Sequence, residues 1–505
     1  MLENLAMGFG LILQFKNIAA ILAGTFIGYF VGALPGLNPT LGIALLIPFT
    51  FGMDPVTAMA LLVSLYVACE YGGGITAILV NTPGTAAAAA TALDGYPLAK
   101  QGKAGLALGM CMIGSAIGAF LGAIGLILFA VPLANFALSF GGPEYFALAV
   151  FGLSVVSSVS SGSVIKGLMA AALGVLITTI GLDPITSTER YVYSYDFLEG
   201  IPFVPAMIGL FAVSEVMIML EDTAAGEYAV EKASDILSVL KELRRCMVVI
   251  LRSTVIGFIV GVIPAAGANV ASWLGYFDAK RISKHPELFG KGAIEGVASC
   301  ETANNSAVPG AFVPLLTLGI PGSSAAAVLI GALMIQGLQP GPLLFERNPE
   351  IPYSIFAGLL LSTPIMLVVG LGGARLFAKL TLVPKSILGT VVLGVCLLGS
   401  FALGNNIFPV WIACGFGILG YLMRKFDFPI AAMVLAMVLG EMAENNFRLS
   451  MLMGEGSWSI FLTRPISLVI FLLTAVMFCW PLVNSWIRRK QAEVASPAPD
   501  KRNGR

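Results

Sequence analysis

Two short stretches combine the residue types that can hold an anion without a basic side chain. They are Pro83-Gly84-Thr85, followed by alanines at 86–90, and Pro321-Gly322-Ser323-Ser324, followed by Ala325-Ala326-Ala327. Proline and glycine end helices, hydroxyl residues cap helix N-termini, and alanine is the best helix former. Each stretch therefore predicts a helix that stops and restarts. A restarted helix offers unpaired N–H donors and about half a positive charge, which favours an anion. Residues 302–345 contain no Asp, Glu, Lys, Arg or His, so backbone donors and hydroxyls must neutralise whatever binds there. The expected substrate-binding residues are Pro83, Gly84, Thr85, Pro321, Gly322, Ser323 and Ser324, together with the adjacent amides Asn304 and Asn305 of the same uncharged run. The competing reading makes the breaks helix kinks needed for packing.

Two earlier breaks, Pro35-Gly36-Leu37-Asn38 and Pro264-Ala265-Ala266-Gly267-Ala268-Asn269, place amides beside a chain reversal. Unwound carbonyls and Asn side chains at such places coordinate sodium, which singles out Gly36, Asn38, Gly267 and Asn269. Glu70 and Glu301 stand beside apolar runs. Each is either a proton-titrating group or a neutral, helix-bonded carboxyl. A cotransported sodium ion or proton is the only cofactor expected, and no other metal.

These residues must be positioned by helices in a membrane. Hydrophobic residues make up 57% of the 505-residue chain and charged ones 11%, against about 25% charged in soluble domains. Apolar runs of spanning length recur near 16–34, 104–131, 145–160, 164–181, 202–220, 247–263, 353–378, 386–403, 407–423, 428–443 and 460–487. Shorter segments interrupted by Gly and Pro lie between them, and whether 36–52 and 265–279 span or re-enter is open. This predicts an all-α polytopic membrane protein of about 10–12 transmembrane helices with re-entrant or broken helices. The N-terminus has no basic region followed by a small-residue cleavage site, so no removed signal peptide is expected.

The halves resemble each other. GALPGLNPTL (32–41) matches GVIPAAGANV (261–270), pairing Pro35 with Pro264. TAILVNTPGTAAAA (76–89) matches PLLTLGIPGSSAAA (314–327), pairing Pro83 with Pro321. PAMIGLFAVSE (205–215) matches AAMVLAMVLGE (431–441), pairing Glu215 with Glu441. Three matches in one order predict a duplication: a first transmembrane repeat at 1–220, a cytoplasmic amphipathic linker at 221–246, a second repeat at 247–445, a C-terminal transmembrane helix at 446–487 and a disordered basic tail at 488–505. Charge orients the repeats. Lys100 and Lys103 follow the first Pro-Gly break, whereas the equivalent stretch after the second holds Glu346, Arg347 and Glu350. Arg281, Lys284 and Lys291 correspond to the cation-free region of Asp54, and Arg424-Lys425 to the neighbourhood of Asp183. Equivalent loops then face opposite sides by the positive-inside rule, an inverted duplication of the kind secondary transporters use.

Several function classes lose support. The 28 basic and 28 acidic residues leave no nucleic-acid footprint, no GxxxxGK[ST] occurs, and the single histidine, His285, lies in a basic loop, so no Ser/His/Asp set can be assembled. The seven cysteines form neither a CxxC nor a His/Cys cluster. A carrier is therefore expected rather than an enzyme.

The stretches GALPGLNPTLGIALLIPFTFGMDP, EYGGGITAILVNTPGT with DGYPLAKQGKAGLALG, and KGAIEGVASCETANNSAVPGAFVPLLTLGIPGSSAAAVLIGALMIQGLQPGPLLF resemble the TctA family, the large membrane subunit of tripartite tricarboxylate transporters (TTT). The resemblance covers nearly the whole chain. It implies multi-pass insertion in the bacterial cell inner membrane and ion-gradient-driven symport of citrate-like carboxylates. It also implies two partners, a small TctB-like membrane subunit and a periplasmic TctC-like solute-binding protein. The alternative is a stand-alone organic-anion carrier without a binding-protein partner. One departure is local: Ala265 stands where the family pattern leads one to expect glycine.

Overall fold

Lipid offers the backbone no hydrogen-bond partners, so each segment of so apolar a chain must satisfy its own N–H and C=O groups, and helices do this. The computed structural model describes residues 1–34, 36–159, 163–183, 186–221, 236–264, 266–380 and 385–476. Its first half comprises α1 (Leu2–Ile12), α2 (Phe15–Ala33), α3 (Pro39–Thr50), α4 (Pro55–Val80), α5 (Ala88–Leu98), α6 (Ala104–Ala137), α7 (Gly142–Val159), α8 (Val164–Thr178), α9 (Phe203–Met207) and α10 (Ser214–Glu221). α9 and α10 run on as one helix through a wider π turn at Ile208–Val213. The second half comprises α11 (Ile236–Val262), α12 (Gly267–Ile282), α13 (Ile294–Leu318), α14 (Ser324–Ile335), α15 (Pro342–Arg347), α16 (Glu350–Leu380), α17 (Lys385–Gly404), α18 (Phe408–Lys425), α19 (Ile430–Met453), α20 (Ile460–Thr463) and α21 (Pro465–Val476). One short antiparallel pair, β1 (Gly181–Leu182) with β2 (Glu189–Arg190), closes a loop with Gly181 opposite Arg190.

Eight helices among the described residues are long and apolar enough to cross a membrane. The protein is an all-α polytopic membrane protein. The breaks leave half-length pieces beside these eight. α3 and α14 have 12 residues each, about 18 Å at 1.5 Å per residue, against a hydrocarbon core of about 30 Å.

The core is built on α4 and α13. Nearly every residue from Val56 to Ile78 and from Gly296 to Thr317 is buried. Glycine permits this density by letting backbones touch. A Cβ on Gly32 of α2 would fall 2.1 Å from the Cys69 carbonyl of α4, and one on Gly261 of α11 would fall 2.3 Å from the Ala307 carbonyl of α13. Gly32 and Gly261 hold matched places before Pro35 and Pro264, so the two halves pack their first and third long helices in the same way. The halves also interlock: α6 packs on α11 and α13, while α16 packs on α2 and α4. There the Tyr29 hydroxyl donates to the Met366 carbonyl at 2.7 Å.

The segment 36–52 and the described part of 265–279, from Ala266 on, form the returning arms of hairpins. Lys16, at the start of α2, pairs with Asp54 just beyond α3 at 2.8 Å, and Arg252 of α11 pairs with Asp278 of α12 at 2.9 Å. Each chain thus comes back to the end from which it entered. Burial pushes the Asp54 carboxyl up, but Lys16, Thr57 and the Val56 N–H outweigh this and hold it below the usual carboxylate range.

Of the expected segments, 222–235 in the linker and everything from 477 on, including the tail 488–505, lie outside the described residues. From Ile236 the linker is already the opening of α11, and α19 runs unbroken across the 445/446 boundary. The one departure from the family pattern, Ala265, also lies outside the described residues, as does Pro35.

Candidate functional site: a cavity where broken helices start

The breaks are sharper than kinks. α4 ends on Asn81 in the left-handed conformation (φ 53°), and α13 ends on Gly319 (φ 71°). The chain then folds back along the helix it has just left. The Gly84 N–H donates to the Gly73 carbonyl at 3.3 Å, and Gly322 lies against Ala311. Only after this reversal do α5 and α14 begin. The return path is tight enough to demand glycine: a Cβ on Gly84 would stand 1.9 Å from the Gly32 carbonyl, and one on Gly322 would stand 2.5 Å from that of Gly261. The helix-stop-and-restart read from Pro83-Gly84 and Pro321-Gly322 is present at both places.

Four helix starts meet at one cavity of ≈ 530 Å³. Its wall includes Asn38 to Thr40 at α3, Thr85 and Ala86 before α5, Gly267 to Asn269 at α12, and Ser323 to Ala325 at α14. Asn38 caps α3 by accepting from the Leu41 N–H at 3.0 Å, and Ser323 caps α14 by accepting from the Ala326 N–H at 3.1 Å. Thr85 makes a longer contact of this kind with the Ala88 N–H, 3.4 Å. The early breaks turn on glycines with positive φ, 91° at Gly36 and 57° at Gly267, a conformation open to glycine at little cost.

Of the residues singled out in the sequence, the cavity brings together Gly36, Asn38, Glu70, Pro83, Gly84, Thr85, Gly267, Asn269, Ser323 and Ser324. It does not bring in the others. Pro321 and Gly322 are buried behind the α14 start. Asn304 and Asn305 lie fully buried on α13; the Asn304 amide donates to the Glu70 carbonyl at 3.5 Å and the Asn305 amide to the Glu301 carbonyl at 3.2 Å. Glu301 is closed off as well, accepting from Thr91 at 2.6 Å and from Ser115 at 3.1 Å. Glu70 differs: its side chain lines the cavity, and its Oε2 has no hydrogen-bond partner among the described residues.

Three further wall residues were not singled out as site residues in the sequence. Tyr66 bonds the Ser323 hydroxyl at 2.8 Å. Arg424, at the end of α18, pairs with Glu215 of α10, and both line the cavity. The uncharged run 302–345 is real, but a cation reaches the same space from α18, far away in sequence.

Fold and site together define a multi-pass helical membrane protein with interrupted helices around a central polar cavity. The chain belongs to the tripartite tricarboxylate transporter TctA family, whose profile matches residues 18–435; this is a family of transporter subunits. It is 37% identical, over 96% of its length and 97% of the relative's, to a protein of Agrobacterium vitis described as an uncharacterized 52.8 kDa protein in the TAR-I ttuC' 3' region. A second Agrobacterium vitis protein, described as uncharacterized and in the TAR-II ttuC' 3' region, is 34% identical over 47% of this chain and 98% of its own. No solved structure matches the chain.

Proposed function

We propose that this chain is the large membrane subunit of an ion-gradient-driven secondary transporter. It imports citrate-like tricarboxylates or related carboxylates across the bacterial inner membrane, with a small membrane subunit and a periplasmic binding protein as partners. The convergence of four helix N-termini on one cavity carries this reading. Each N-terminus stabilises an anion by roughly 0.3–1 kcal/mol when exposed and up to about 2 kcal/mol when partly buried. Several acting on one polycarboxylate make a workable site, and family membership supports the substrate class.

Thr85, Ser323 and Ser324, with the N–H groups that follow Gly84 and Gly322, contact the substrate's carboxylates. Asn304 works one layer back by holding the α4 backbone at Glu70. Gly36, Asn38, Gly267, Asn269 and Glu70 form the ion-coupling side of the site, for sodium or a proton. The matched hairpins, reversals and interlocking helices support an inverted duplication, whose two halves exchange access to the shared cavity.

Proteoliposome uptake tests the proposal, with the chain co-reconstituted with both partners. Citrate and a panel of other carboxylates are offered under separately imposed sodium and proton gradients. Saturable uptake that needs one gradient and the binding protein is expected. Uptake that needs neither gradient contradicts ion coupling, and equal uptake without the binding protein favours a stand-alone carrier.

A further inference from the structure

Among the described residues lining the cavity, Arg424 is the one cation, and Glu70 and Glu215 are the acids. Its guanidinium is committed to a single described partner. Arg424 Nη1 bonds Glu215 Oε2, with Glu215 almost fully buried and Arg424 28% exposed. An arginine has five N–H donors arranged to take a carboxylate through two parallel bonds, and one contact leaves most of them unspent. The other Glu215 oxygen faces the α2–α3 turn, where a Cβ on Gly36 would lie 3.2 Å from Oε1. The pair therefore stands between the helix starts and the α18 end of the cavity.

We propose that Arg424 receives one carboxylate of the substrate and that Glu215 is the internal carboxylate which holds its place while the cavity is empty. This rests on the reading of the cavity as a carboxylate site and deepens it. An unpaired guanidinium held among packed helices beside an empty cavity is costly, and a carboxylate from the protein removes that cost. An incoming carboxylate of the same chemistry takes over the donors and leaves Glu215 beside Gly36. With a second carboxylate on the helix starts at Thr85 and Ser324, the site selects molecules carrying at least two carboxylates. The neighbouring pair Lys425–Glu221, at 2.5 Å, lies outside the cavity wall and has no part in this.

The test is equilibrium binding of citrate, succinate and acetate to the purified full chain, for the wild type and for Arg424→Gln, Glu215→Gln, the double variant and Lys425→Gln. Arg424→Gln is expected to weaken citrate and succinate at least tenfold while changing acetate less than threefold. Glu215→Gln, by removing the competitor, should tighten citrate severalfold. The double variant should recover the thermal midpoint of the wild type but not its citrate affinity, and Lys425→Gln should match the wild type. If the pair were only a brace, both single variants would weaken binding of all three probes together with stability, and the double variant would restore binding. That pattern, or unchanged citrate affinity in folded Arg424→Gln, overturns the proposal while leaving a carboxylate site standing. If the wild type binds none of the three probes, the carboxylate reading itself falls.

Discussion

Ser323 shows how much one side chain can hold. Its oxygen caps α14 and also meets the Tyr66 hydroxyl. Losing an N-cap costs about 1 kcal/mol, so Ser323→Ala should lower the thermal midpoint in detergent by about one degree in a chain of this size and weaken citrate binding. Tyr66→Phe removes one bond and leaves the cap, and should have the smaller effect on the midpoint in the same scan. The cap was legible because Ser beside Pro-Gly and before alanines has a local meaning. Tyr66 was not, since it sits in an unbroken apolar run. Arg424 was not marked as a site residue for a different reason. At the end of an apolar helix a cation reads as a surface anchor, and nothing local says that this helix end leans over a cavity. Asn304 and Asn305 stand one layer behind the cavity wall: their amide N–H groups tie α13 to α4 and to itself, while both side-chain oxygens are buried without a partner among the described residues.

At the scale of elements, the two reversals depend on backbone contact, so their glycines answer for packing as much as for binding. Gly84→Ala and Gly322→Ala should each lower the yield of folded protein sharply, whereas Gly10→Ala, with nothing within 4 Å of its Cβ, should not. Size-exclusion yield compares them directly, and anion affinity is better probed at Thr85 and Ser324. A second tie joins the halves at one end. Asp94, fully buried on α5, accepts from the N–H groups of Gly290, Gly292 and Ala293, each at 2.8 Å. Bonds to a charged group contribute roughly 1.5–3 kcal/mol each. Asp94→Ala should therefore lower the thermal midpoint more than Ser323→Ala does, and equal midpoints would argue that the loop before α13 is held otherwise. Asp94 was not singled out in the sequence, because its partners lie about two hundred residues on, beyond the reach of any local pattern.

For the whole molecule, the legible part was what repeats: matched Pro and Gly motifs predicted matched reversals. The exact seams were not legible, because helices such as α19 continue through the places where composition changes. Sidedness follows from contacts between loops. Gln101 bonds the Lys291 carbonyl at 2.9 Å, which brings Lys100 and Lys103 to the same end as Arg281, and Gln336 bonds the Thr50 carbonyl at 2.7 Å at the opposite end, on the way to Glu346. With the cation-rich end in the cytoplasm, cysteines replacing Lys100 and Arg281 should react with impermeant maleimide only from inside, and one replacing Glu346 only from outside. Reaction of all three from one side would end the inverted arrangement. Occupation by a carboxylate of the space where the broken helices begin is measured by substrate protection of Ala86→Cys, an exposed wall position beside Thr85. Citrate should slow its modification by a thiol reagent in a concentration-dependent way, with half-protection near the uptake KM, while a neutral polyol does nothing. A labelling rate unmoved by saturating citrate, in a protein that still transports it, would place the substrate elsewhere.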